Sequence, residues 1–303
     1  MKPLTLSINL SYFCNFRCKF CYLTNKQLSD KTIISHERLD SLLSQIKDIK
    51  YIDLYGGEIG LLDEETFYSY KDIIRKHYDG EINLVTNLSM LRDYFFDDDI
   101  SLSVSYDFDA REKSDIVYRN MIMSKKPIHL LILASEQVLK MDIDYMIKVI
   151  NFCSSIKSVE IKPYSINQAN SQQVTHAQFE DFIINWSDRI KDMNFQFVNY
   201  DKIDKAFFLE NNSFSDDHVY ITPNGKFAVL EFDKQDKEYF LELDSIDKYY
   251  EWANSEKTNL SPICKSCKYV GHCLTEHHRY VKDLDNSCNG YIGLLNWYET
   301  LES

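Results

Sequence analysis

The chain lacks any apolar run long enough to cross a bilayer as a helix, so a membrane-spanning role is not expected. Nor does it begin like a secreted protein. Its first residues, MKPLTLSINLSYF, alternate apolar and polar side chains and hold no leader-like core, which predicts a cytoplasmic location. Positive charge is in deficit: 34 lysines and arginines stand against 47 aspartates and glutamates, a formal net charge of −13. No basic stripe offsets that balance, so nucleic acid is not an expected partner, and a neutral or cationic substrate is favoured. Low-complexity tracts and internal repeats of useful period are absent as well. What remains is an ordinary globular composition, 44% hydrophobic and 27% charged over 303 residues, enough for a large domain with or without a small one.

Eight cysteines are present, and they are grouped. Cys14, Cys18 and Cys21 fall within the segment SYFCNFRCKFCYL; Cys264, Cys267, Cys273 and Cys288 lie near the end; Cys153 stands alone on an apolar helical stripe and reads as a core residue. A secreted disulfide framework needs a leader and is usually built on a shorter chain, so grouped cysteines in a reducing compartment read as metal ligands. Three thiols are an odd set. A structural zinc site usually takes four ligands, whereas three suit a centre that keeps one position open.

From the start to about residue 165, strand-like and helix-like segments alternate. LTLSINLSY, YIDLYGG, INLVTN, ISLSVSYD, IHLLILA and SVEIKPYS read as strands. The intervening stretches carry helical apolar spacing, as at Leu39, Leu42, Leu43 and Ile46, with a short helical piece around Tyr94. A further helix, HAQFEDFIINWSDRI, closes the series. Six such units imply a parallel sheet, either a partial (β/α)6 barrel or a doubly wound sheet, with chemistry at the carboxyl ends of the strands. The cysteine triad follows the first strand and Gly56, Gly57 and Glu58 follow the second, so both land on one rim. After about residue 192 the pattern changes to a hairpin, HVYITPNGKFAVLEF, with Asn224–Gly225 at its turn. A helix, the cysteine-rich PICKSCKYVGHC and a last helix around Trp297 follow. We expect a first domain over 1–204 and a small α+β domain over 205–303.

In LYGGEIG, residues 54–60, the two glycines let a ligand approach the backbone, and Glu58 offers an acceptor for an ammonium. The Cys-x3-Cys-x2-Cys spacing, its place after the first strand, and Phe20 just before the last cysteine resemble the radical S-adenosylmethionine (SAM) superfamily. The resemblance implies a 4Fe–4S cluster on Cys14, Cys18 and Cys21. Its open iron takes the amino and carboxylate groups of SAM, and reductive cleavage gives a 5′-deoxyadenosyl radical that abstracts hydrogen from a substrate. It also implies that the Gly56–Gly57–Glu58 turn holds the SAM amino group. LVTN, with Asn87, resembles the third strand end, although Leu88 stands where the family usually has glycine. LSVSYDFD resembles the fourth strand, so Ser105 would contact the SAM ribose or carboxylate, with Asp107 as a neighbour. Arg119 is a candidate for pairing with that carboxylate. A flavodoxin- or ferredoxin-type reductant is the implied electron source.

The Cys264-x2-Cys267-x5-Cys273-x14-Cys288 series is a metal signal that spacing alone does not assign to zinc or iron–sulfur. Together with ITPNGKF and LELDSIDKYYEWANSE, it resembles the SPASM/twitch extension of radical SAM enzymes, and so implies a second, auxiliary 4Fe–4S cluster. Leu230 and His277 stand where a further cluster's cysteines would be, so one auxiliary cluster is expected. His272, Glu276, His277 and His278 read as surface groups or as partners of the ligands. The resemblance implies a peptide or protein substrate, with crosslinking, epimerisation or oxidation as the outcome. A small molecule (sugar, nucleotide or amino-acid derivative) is the alternative, supported by the short run ahead of Cys14, which leaves no room there for a leader-binding domain. A non-catalytic metal scaffold is the competing class.

Overall fold

The structure is a computed structural model that describes residues 2–164, 174–214, 216–230, 240–258, 260, 262–275, 288 and 290–302. Ten strands form one sheet. The first six are β1 (Leu4–Ile8), β2 (Ile49–Leu54), β3 (Ile82–Thr86), β4 (Ile100–Ser105), β5 (Ile128–Leu133) and β6 (Ile156–Lys162), each pairing with the next in parallel. A two-residue strand, β7 (Gln196–Phe197), extends that edge. At the other edge β8 (His218–Ile221) runs parallel to β1. β9 (Phe227–Leu230) and β10 (Phe240–Leu243) complete an antiparallel end. The hairpin turns at Gly225, whose φ of +72° suits glycine.

Five helices follow the strands: α1 (Asn25–Ser29), α2 (His36–Leu43), α3 (Glu64–Arg75), α4 (Ser114–Met123) and α5 (Ile143–Phe152). α6 (His176–Ser187), α7 (Val198–Phe207), α8 (Ile246–Thr258) and α9 (Ile292–Leu301) come later. A single 3-10 turn, Asp93–Phe96, stands between β3 and β4, in keeping with the short helical piece expected there. Helix starts are set locally. Ser35, Asp63, Asp142 and Thr175 each accept a hydrogen bond from the backbone N–H three residues on. Among the described residues no helix is long and apolar enough to cross a membrane.

The period of two along each strand decides which way the side chains go. Leu6, Ile52, Leu84, Leu102, Leu130 and Val159 are fully buried and belong to the main core with the helices. Their neighbours Ser7, Asp53, Asn83, Ser103, His129 and Glu160 line a single cavity. One cavity shared by β1 to β6 and β8 requires the sheet to curl around it. The α/β partial barrel expected from the sequence is therefore present, and β8 to β10 continue its sheet beyond β1.

Candidate functional site

The cavity has a volume of about 470 Å3. Cys14, Cys18 and Cys21 line it from the loop between β1 and α1. That loop is pinned by its own residues. Leu10, Phe16, Phe20 and Leu23 are buried, and the Cys14 N–H donates to the Leu28 carbonyl at 3.1 Å. Arg17 donates to the carbonyls of Cys14 and Phe16 at 2.7 and 2.8 Å, and Thr24 with Gln27 caps α1 in a reciprocal box. Backbone N–H groups of Phe16 and Leu23 point at the sulfurs of Cys14 and Cys21, both at 3.4 Å. Burial pushes the Cys14 and Cys21 thiols up to about 11, and raises Cys18 while Arg111 pulls it down. A metal bound by these thiols would displace their protons.

Gly56 and Gly57 also line the cavity, yet their missing side chains serve the loop. A Cβ on Gly57 would sit 2.2 Å from the Phe13 carbonyl oxygen, and one on Gly56, at φ +129°, 2.4 Å from Asn9 Oδ1. The turn docks through hydrogen bonds from the N–H groups of Gly57 and Glu58 to the carbonyls of Ser11 and Phe13, at 3.1 and 2.9 Å. The glycines bring two loops together, beyond the ligand access that the sequence suggested. Glu58 is not among the residues that line the cavity. Its buried carboxylate accepts from the Thr86 hydroxyl at 2.6 Å, the Asn87 N–H at 2.6 Å and the Gly60 N–H at 2.8 Å. Burial raises its pKa against those three bonds. In this arrangement Glu58 ties the Gly–Gly turn to the end of β3.

Asn87, Ser105 and Phe20 line the cavity. Asn87 Nδ2 lies 3.0 Å from Asn15 Oδ1 and 3.9 Å from Cys14 Sγ. The next residue, Leu88, has a φ of +50°, the left-handed geometry for which glycine is the usual choice, and is fully buried. Arg119 is a correction. It is exposed on α4, whose buried positions are Val117, Asn120 and Met121, and it does not line the cavity. Arg111 does. Its guanidinium pairs with Asp107 at 2.6–2.7 Å, lies 5.3 Å from the Phe20 ring centroid, and reaches Cys18 Sγ at 3.7 Å. Burial works against its charge, but Asp107 and the thiols of Cys18 and Cys21 outweigh it. Asp107, fully buried, also accepts from the Leu133 N–H at 2.5 Å. Sequence reasoning passed over Arg111 although it lies four residues after Asp107.

Two of the later cysteines, Cys273 and Cys288, meet at Gly290. A Cβ there would meet Cys273 Sγ at 2.8 Å and Cys288 Sγ at 3.5 Å. Burial, with the charges of Cys273, Cys288 and Cys267, pushes the Cys264 thiol up to about 11, so the four thiols act on one another. N–H groups of Tyr269 and Gly290 point at Cys267 and Cys288 Sγ, at 3.4 and 3.3 Å. His272 Nδ1 pairs with the Asn211 carbonyl at 2.8 Å. Glu276, His277 and His278 lie outside the described residues. Leu230 lines the main cavity, and Cys153 is buried in the core. Among the described residues, no three His, Cys, Asp or Glu side chains are gathered to hold a single metal ion.

No protein-family model matches the chain, and no curated protein matches it by sequence. Solved structures do match. Native anSMEcpe with bound AdoMet superposes with a TM-score of 0.69 at 15% identity, over 99% of this chain and 100% of that one. anSMEcpe with bound AdoMet and Cp18Cys peptide gives 0.70 at 14%, over the same shares. Streptococcus suis SuiB bound to precursor peptide SuiA gives 0.66 at 16%, over 95% of this chain and 74% of that one. This chain has the fold of those solved structures.

The donor sets fit iron–sulfur clusters. In the loop, three thiols open onto a cavity with room for a ligand. Near the C-terminus, the charges of four thiols bear on one another.

Proposed function

We propose that the protein is a radical SAM enzyme that abstracts hydrogen from a peptide or protein substrate. The observation that carries this reading is the meeting of three thiols, the Gly–Gly turn and a half-buried arginine on one cavity of a barrel. When bound, a reduced 4Fe–4S cluster would cleave SAM and supply a 5′-deoxyadenosyl radical.

The residues would act as follows. Cys14, Cys18 and Cys21 hold the cluster, and Phe20 keeps water from it. Backbone groups of Gly56 and Gly57, set by Glu58, meet the SAM ammonium. Arg111, oriented by Asp107, meets the carboxylate with its planar fork, and Ser105 and Asn87 supply further polar contacts. Residues 205–303 would form a SPASM/twitch-like extension in which Cys264, Cys267, Cys273 and Cys288 hold one auxiliary 4Fe–4S cluster. With four protein ligands it would not bind substrate; it would carry electrons or hold the fold. A flavodoxin- or ferredoxin-type protein of the cytoplasm would deliver the electron. The peptide reading is supported by the similar structures of anSMEcpe and SuiB, which bind peptides.

The test is anaerobic reconstitution with iron and sulfide, followed by SAM and dithionite. We expect 5′-deoxyadenosine from the wild type and none from Cys18→Ala. A colourless, zinc-loaded wild type that forms no 5′-deoxyadenosine would end the reading in favour of a scaffold.

A further inference from the structure

Parallel sheets covered on both faces are usually apolar on both. The inner face of this one carries a polar row, in register. Ser7, Asp53, Asn83 and Ser101 are direct neighbours across β1, β2, β3 and β4. The Asn83 amide donates to Asp53 Oδ1 at 2.6 Å, and the Ser7 side chain also hydrogen-bonds Asp53. On its other side, Ser7 Oγ lies 2.9 Å from His218 Nε2 on β8. Asp53, Ser7 and His218 all face the cavity. The thiol loop, the Gly–Gly turn and Arg111 make no use of them. Enclosing a polar group costs roughly 1–3 kcal/mol unless it is well bonded, so an apolar row would have served the fold better.

We propose that Asp53, coupled through Ser7 to His218, is the proton acceptor for the substrate. The inference rests on the reading of this cavity as the substrate site and adds a catalytic residue to it. The substrate it fits carries an acidic hydrogen beside the reacting carbon, on a hydroxyl, thiol or amide. The step is a proton transfer alone. The substrate X–H bond breaks heterolytically, its electron pair stays on X, and the proton goes to the Asp53 carboxylate, which becomes a neutral acid.

Burial raises the Asp53 pKa, against the Asn83 and Ser7 bonds and the charges of Lys162 and His129. Such a carboxylate holds a proton nearer to neutral pH, as a general base requires. Tyr22, Tyr51, Tyr55, Arg111 and Glu160 line the same cavity. Tyr220 stacks on the His218 ring at 4.7 Å, and the Tyr249 hydroxyl of α8 accepts from the His218 backbone N–H.

The test is a pH titration of the full reconstituted chain by NMR, with 13C at histidine Cε1 and aspartate Cγ. Asp53 should titrate above an ordinary aspartate, and the His218 midpoint should fall by about 0.5 or more in Asp53→Asn. Ser7→Ala should move His218 the same way, and it decides the matter if Asp53→Asn does not fold. An Asp53 midpoint at or below about 4 would overturn the proposal, as would a His218 midpoint that ignores both substitutions. The titration needs no SAM, so its failure and the failure of 5′-deoxyadenosine formation are separate results.

Discussion

Two arginines eight residues apart illustrate what a single side chain decides. Arg111 and Arg119 both follow β4, and a motif-based reading has no ground to prefer the first. The choice is made by the start of α4. Lys113 takes a left-handed φ of +53° and the helix begins at Ser114, which turns Arg119 outward. Arg111, still in the turn before the helix, points back at Asp107 and the thiols. Removing it leaves the buried Asp107 charge unpaired, which costs about 3–5 kcal/mol in comparable pairs. We expect Arg111→Gln to lower 5′-deoxyadenosine formation at least about tenfold, equivalent to about 1.4 kcal/mol. Arg119→Gln should stay within about twofold, as exposed substitutions usually do. Steady-state assays at saturating dithionite check both, and equal losses would return Arg119 to the site. The cysteines were legible because their spacing is a local property of the chain. The full role of Glu58 was not, because its partners Thr86 and Asn87 come from another strand.

The elements follow the same division. Strands β1 to β6 could be read from alternation and from the segments between them, since each carries its own period. Strand β7 has two residues and no period to read, and β10 merges in sequence with the run into α8. The Gly–Gly turn was visible as a motif, but its packing against the cysteine loop is a contact between elements. That contact is testable. Gly57→Ala would place a methyl group 2.2 Å from a backbone oxygen that has no side-chain freedom to move away. The loop must shift, and with it Cys14. We expect iron at the first site to fall below half occupancy on reconstitution, with the melting temperature lowered. Unchanged iron content and melting temperature would show that the two loops are not held as closely as described.

At the scale of the molecule, the two cysteine groups share one continuous sheet. β8 pairs with β1, and Asp216 just before β8 is 8% exposed between Lys2 ahead of β1 and Lys257 on α8. Burial opposes its charge, but bonds from Lys257, Asn212 and Lys2 prevail and hold its pKa down to about 2, from an ordinary 3.8. A carboxyl lowered on folding stabilises the protein above its unfolded pKa, and that stability is lost as pH falls through the folded value. The window here is from about 4 down to about 2, and the loss about 1–2 kcal/mol with exposed lysines discounted. Asp216→Asn should lower stability at neutral pH by that amount and flatten the acid limb in this window, seen by urea unfolding at several pH values.

The C-terminal part is bolted on a second time, through α9. The Gly293 N–H donates to Glu180 of α6 at 2.8 Å, and the Tyr298 hydroxyl to Asp204 of α7 at 2.6 Å. These anchors do not pass through the thiols, so losing a cysteine of the second group should leave the barrel folded. In Cys267→Ala we expect iron to fall by about half if both sites hold 4Fe–4S clusters. SAM cleavage should survive, because Cys14, Cys18, Cys21 and Arg111 are untouched, while substrate modification is lost. Retained modification, with the second cluster shown spectroscopically to be absent, would remove that site from the reaction. Loss of SAM cleavage together with the second cluster would mean that the sheet transmits the damage from β8 to β1, and that the two sites are one structural unit.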